Sequence, residues 1–141
     1  MLIRAFLISG SIALSIVLPI SVVADTNQLK AQRIASINLC ADALLLKLVD
    51  SNRINSLYYL SANPQFSAFA QQAQKYHLNH GLAEEIVPRN PDLIVAGEFS
   101  SADAKILLTQ LGFHVEVLPL PRTLADITTH IRLFGRLTGT V

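Results

Sequence analysis

The stretch "GLAEEIVPRNPDLIVAG", residues 81–97, decides the fold. Its close, Leu93-Ile94-Val95-Ala96, is a continuous apolar run. That pattern suits a strand covered on both faces of a parallel sheet. Asn90-Pro91-Asp92 before it is a turn signal. "LAEEIVP" reads as about one and a half helical turns, stopped at Pro88. The adjacent acids Glu84 and Glu85 diverge by about 100° on a helix, so they cannot share a substrate proton as an acid/base pair.

Outward from this stretch the same alternation repeats. "RIASI" (33–37), "RINSLYYL" (53–60), "DLIVAG" (92–97) and "FHVEVLPL" (113–120) read as strands, and "YHLNHG" as a loop with a short extra strand. In "NLCADALLLKLVD" a helix starts at Asn38 or Cys40 and places Leu44, Leu45 and Leu48 on one face. Phe66, Phe69, Ala70 and Ala73 mark a second helix. Ser100, with Asp103 three residues on, caps another whose apolar face is Ala104, Leu107, Leu108 and Leu111, and Gly112 ends it. Thr123 caps the last helix, with an expected buried face of Leu124, Ile127, Ile131 and Phe134.

Strands alternating with helices across short loops predict an α/β fold, a Rossmann-like parallel sheet flanked by helices. Right-handed crossovers gather the strand-to-helix loops at one sheet edge, where open α/β sheets bind ligands. Those loops are Asn38–Asp42, Leu60–Gln65, Gly97–Ser101 and Leu118–Thr123.

The chain has 141 residues, one domain by length, and at 51% hydrophobic and 15% charged it is too apolar for disorder. Arg4 followed by the apolar run "AFLISGSIALSIVLPI" and then "SVVA" reads as a secretory signal peptide, residues 1–24, cleaved after Ala24. The run is shorter than the roughly 20 residues of a spanning helix. Residues 25–141 then carry 10 basic and 10 acidic side chains. That balance argues against the basic surface a nucleic-acid partner needs. The single cysteine, Cys40, cannot form an internal disulfide and is expected to be buried or half-buried.

The loops "NLCAD", "SANPQ", "GEFSS" and "LPRT" contain neither G-x-G-x-x-G nor a P-loop, and the chain contains no G-x-S-x-G. His77, His80, His114 and His130 lack metal-ligand spacing, and His77 and His80 have no nearby carboxylate before Glu84. No metal site is expected. Cys40 with His80 or His114 is the alternative from another class, a thiol-dependent enzyme fragment. Against it stands a ligand-binding edge offering Asn38, Tyr58, Tyr59 and Asn63.

Three segments together resemble the periplasmic substrate-binding proteins of the cobalamin and ferric-siderophore ABC importers. They are "RIASINLCADALLLKLVDSNRINSLYYLSANP", the opening stretch with its glutamate-bearing helix before P-D-L, and "LLTQLGFHVEVLPLPRTLADITTHIRLFGRLTG". The resemblance implies a two-lobed, non-enzymatic protein with its ligand between the lobes. Residues 25–141 would be the N-terminal lobe, truncated before the inter-lobe helix and second lobe. It implies a periplasmic location and a small-molecule ligand, cobalamin or a ferric siderophore. Haem is the alternative, with Tyr58, Tyr59 or His80 as an axial ligand. Arg122 would meet an anionic chelate, and Cys40 joins Asn38 on the ligand side. The implied partner is an ABC permease in the inner membrane, met by Glu84. No cofactor is implied.

Overall fold

The computed structural model describes residues 30–140. The leader reading, residues 1–24, lies outside them. No helix of the described residues is long and apolar enough to cross a membrane.

Five strands form one all-parallel sheet: β1 (Ile34–Ser36), β2 (Ile54–Tyr58), β3 (Leu78–Asn79), β4 (Leu93–Gly97) and β5 (Val115–Leu118), in the order β3-β2-β1-β4-β5. The expected strands are therefore real but shorter, because each ends where its edge turns into a loop. β4 lies between β1 and β5 and is buried at every position, as its unbroken apolar run requires. Ile34 pairs with Leu93 and Ser36 with Val95.

Helices cover both faces. Helix α1 (Leu39–Leu48), the short α2 (Ala70–Ala73) and α5 (Leu124–Thr138) pack on one face around Ile34, Leu45, Leu57, Leu93 and Phe134. Helices α3 (Ala83–Ile86) and α4 (Ala102–Gln110) close the other around Ala35, Ile86, Ile94, Ala96 and Leu108. The chain changes faces after β3, so the strand order reverses between β1 and β4. That is the topological switch point, outside which α/β sheets bind ligands.

Several sequence expectations need correction. Phe66 is exposed and precedes the helix it was expected to join; α2 is one turn long. Pro88 does not stop the chain's turning, since it sits early in a 3₁₀ turn, Val87–Arg89, that ends at Asn90 in the left-handed region, φ 45°. Ser101, not Ser100, caps α4, accepting from Ala104 N at 3.2 Å. The Ser100 hydroxyl instead accepts from Gly97 N and donates to Ile37 O, lashing the β4 loop to β1. Leu107 and Leu111 are exposed, because a helix on an edge strand buries only the narrow stripe of Ala104 and Leu108.

The largest departure is in α5. Thr123 caps it in a reciprocal box with Asp126, as expected. Yet Leu124, Ile127 and Ile131 are exposed, and only its second half, around Phe134 and Thr138, is buried. The first half overhangs the carboxyl edge of the sheet. The far end is anchored by Arg53, whose Nη2 donates to Thr138 O at 2.6 Å and whose Nε donates to Ala31 O at 2.8 Å. A cation at a helix C-terminus also meets the negative end of the helix dipole.

Candidate functional site

The carboxyl edge carries two clusters. The first is a crevice of about 180 Å³ lined by residues that include Asn38, Cys40, Phe99, Leu120, Ile127 and His130. It opens where α1 and the overhanging half of α5 meet the loops after β4 and β5. Its floor is set by Asn38, the N-cap of α1, whose Oδ1 accepts from Ala41 N at 3.0 Å. Gly97 lies against that amide: a β-carbon there would overlap Asn38 Nδ2 and stand 2.8 Å from its Cγ. The rim is cross-linked. Glu98 Oε2 accepts from Leu120 N at 3.0 Å, and Lys105 Nζ donates to Glu98 O at 3.0 Å. The wall is apolar, with Asn38, Glu98 and His130 as its polar points, which is the make-up of a small-molecule surface.

The second cluster follows β2 and β3. Tyr58 and Tyr59 meet edge to face, ring centroids 5.0 Å apart. Tyr59 lies against His80 at 4.7 Å. Glu85, in the single turn of α3, holds His80 twice: its Oε1 is 2.9 Å from Nδ1, and its Oε2 accepts the His80 N–H. These bonds hold the Glu85 carboxyl below the ordinary glutamate value, the backbone N–H contributing most. With Nδ1 engaged, His80 has Nε2 as its other ring nitrogen. Burial, then the neighbouring Tyr59, pushes the Tyr58 phenol up, so it stays protonated at neutral pH.

Beneath this cluster lies Asp42, fully buried in α1. Its Oδ2 accepts the Tyr58 N–H at 3.0 Å and the Ser61 hydroxyl. Its Oδ1 has no hydrogen-bond partner. Burial raises its carboxyl to about 7, against the opposing pull of the Ser36 and Ser61 hydroxyls and the Tyr58 N–H. Asn79, also buried, donates to Ser36 O and Leu57 O and accepts from Gly81 N, tying β3 across β2 to β1.

The expected site residues therefore divide. Asn38 and Cys40 line the crevice, while Tyr58 and Tyr59 form the aromatic cluster. Asn63 serves a turn, its Oδ1 accepting from Gln65 N at 2.9 Å. Arg122 lies exposed at the start of α5, its backbone N–H bound to Asp126; it does not line the crevice. Glu84 is exposed on α3. Cys40 is exposed rather than buried, because it sits in the first turn of α1 facing the open edge. His80 is committed to Glu85, and His114 precedes β5, at the amino edge of the sheet. Neither partners the thiol. The carboxylate thought missing near His80 is Glu85. Sequence reasoning missed Asp42, Asn79, Phe99 and His130. Asp42 offered one signal, a carboxyl inside an otherwise apolar helix, whereas Asn79, in the polar stretch 76–81, offered none.

No family model matches the chain, and no curated protein matches it. Solved structures do. A periplasmic haem binding protein from Pseudomonas aeruginosa superposes with a TM-score of 0.63 at 19% identity over 78% of this chain. The periplasmic vitamin B12 binding protein of Vibrio cholerae gives 0.62 at 24% over 77%. Staphylococcus aureus SirA, complexed with staphyloferrin B, gives 0.56 at 18% over 79%. The chain spans about two fifths of these structures, 39%, 42% and 38% of their lengths. The fold of residues 30–140 is an α/β lobe like those of the periplasmic haem, vitamin B12 and siderophore binding proteins.

Proposed function

We propose that this chain is a solute-binding lobe of an ABC importer, exported by residues 1–24, that takes up cobalamin or a ferric siderophore at its carboxyl edge. The observation that carries this reading is the position of the apolar crevice. It opens at the carboxyl edge beside the β1–β4 switch point, on a fold whose neighbours bind haem, vitamin B12 and a siderophore. A volume of about 180 Å³ is below the few hundred Å³ that enclose a drug-sized ligand. The crevice is therefore one wall, and a second lobe would supply the other. Haem is the alternative ligand, for which Tyr59 and His80 offer an aromatic face. Glu84, exposed on a rigid helix, is suited to pair with an arginine of a membrane permease.

Titrating the chain with cyanocobalamin, haem and a ferric siderophore, followed by tyrosine fluorescence, tests the ligand. Saturable binding of one of them is expected. Failure of all three to bind would overturn the reading. For docking, Glu84→Arg should leave that binding unchanged and abolish association with the permease; undiminished association would remove Glu84 from the interface.

A further inference from the structure

Asp42 is the one fully buried carboxyl among the described residues. A carboxyl is a costly choice for that place, since burying one without full pairing disfavours the fold. Packing alone would be served by an apolar residue of similar size. What Asp42 does there is specific. Tyr58 precedes the 3₁₀ turn Tyr59–Ala62, and no side chain of that segment caps the turn. Asp42 reaches over from α1 to brace it from outside, taking the Tyr58 N–H and the Ser61 hydroxyl on one oxygen. The last N–H of β2, just before the turn, and the hydroxyl of the turn's third residue are thus both fixed to α1. Both aromatic rings leave from this braced segment. Tyr58 packs along Gly81, whose β-position is 3.5 Å from Tyr58 Cε2, and Tyr59 lies on His80.

We propose that Asp42 is a positioning residue for the ligand edge: by bracing the Tyr58–Ser61 segment from α1 it sets Tyr58 against Tyr59 and Tyr59 against His80. The part of this that concerns ligand rests on the binding reading above. The part that concerns the rings does not.

The test is made on the unliganded chain and then with cyanocobalamin, haem or a ferric siderophore, whichever the wild type binds. In Asp42→Ala, nuclear Overhauser contacts between the Tyr59 and His80 rings, and the near-UV circular dichroism of the tyrosines, should be lost while far-UV dichroism is kept. Asp42→Asn retains an acceptor oxygen and should restore both signals. Affinity in Asp42→Ala should drop about tenfold or more, the scale of one lost orienting contact. Intact Tyr59–His80 contacts in folded Asp42→Ala would overturn the proposal. Should Asp42→Ala not fold, Ser61→Ala, which removes one of the two bonds, carries the same contact test with the same overturning result. If the wild type binds none of the three, the binding reading fails while the ring-contact result still decides the role of Asp42.

Discussion

The side-chain amide of Asn38 lies in the space that a β-carbon on Gly97 would fill, so the start of α1 and the end of β4 meet without a side chain between them. This contact closes the floor of the crevice. Gly97→Ala should force Asn38 out of its capping position and destabilise the fold by roughly 1–3 kcal/mol, the usual cost of overpacking. Asn38→Ala alone should cost about 1 kcal/mol through the lost cap. The double variant should cost less than the sum, because both changes disturb one contact. Chemical denaturation of the four proteins gives the cycle, and simple additivity would refute the coupling.

Stability should depend on pH through Asp42. Its carboxyl is raised from the ordinary 3.8 to about 7 in the fold, so the folded state holds its proton more tightly than the unfolded chain. The contribution is full below about pH 4, falls as pH rises from there to about 7, and is absent above. The whole span is on the order of a few kcal/mol. Glu85, held low by His80, acts in the opposite sense, its contribution being lost as pH falls below the ordinary glutamate range. In urea titrations between pH 5 and 8, wild type should lose stability with rising pH and Asp42→Asn should be nearly flat. Parallel profiles would exclude Asp42 as the source.

The two halves of α5 should respond differently to truncation. Phe134 is fully buried, and Phe134→Ala should cost about 3–5 kcal/mol. Leu124 is 83% exposed, and Leu124→Ala should change stability by less than about 0.5 kcal/mol. Thermal or urea unfolding separates the two, and a large loss at Leu124 would place that residue in a packed interface.

Cys40 reports on the crevice. Its exposed thiol should react with a maleimide in the native chain nearly as fast as in urea. A ligand seated in the crevice should slow the reaction, whereas one held only at Tyr59 and His80 should leave it unchanged. Mass spectrometry of the labelled fraction against time distinguishes the two seats.

How much of this was legible in the sequence depends on the kind of signal. β4 was plain because a strand buried on both faces has no polar position to blur it. The caps of α1 and α5 were plain because an N-cap is a local, chemical requirement met by Asn38 and Thr123. The apolar stripe of α5 misled, since periodicity records that a face is apolar but not whether it is covered. Leu124, Ile127 and Ile131 have the spacing of a core and stand in the open. Ser100 misled because two adjacent serines can cap equally well until one is taken by Gly97 and Ile37. The aromatic cluster was half legible. Two tyrosines at a strand end point to an edge, but the pairing of His80 with Glu85 across the Gly81 turn has no sequence period to announce it.

The Arg53 clasp has a consequence for how the chain is strung. Its guanidinium joins the carbonyls of Ala31 and Thr138, and Lys30 lies so close to Gly139 that a β-carbon there would be 2.9 Å from Lys30 Cγ. The beginning and end of the described fold are thus neighbours at the edge opposite the crevice. Contiguous ends make circular permutation feasible: a short linker from 140 to 30, with new ends opened at the exposed Pro64–Phe66 loop, would reorder the strands in sequence and leave the crevice and its aromatic flank in place.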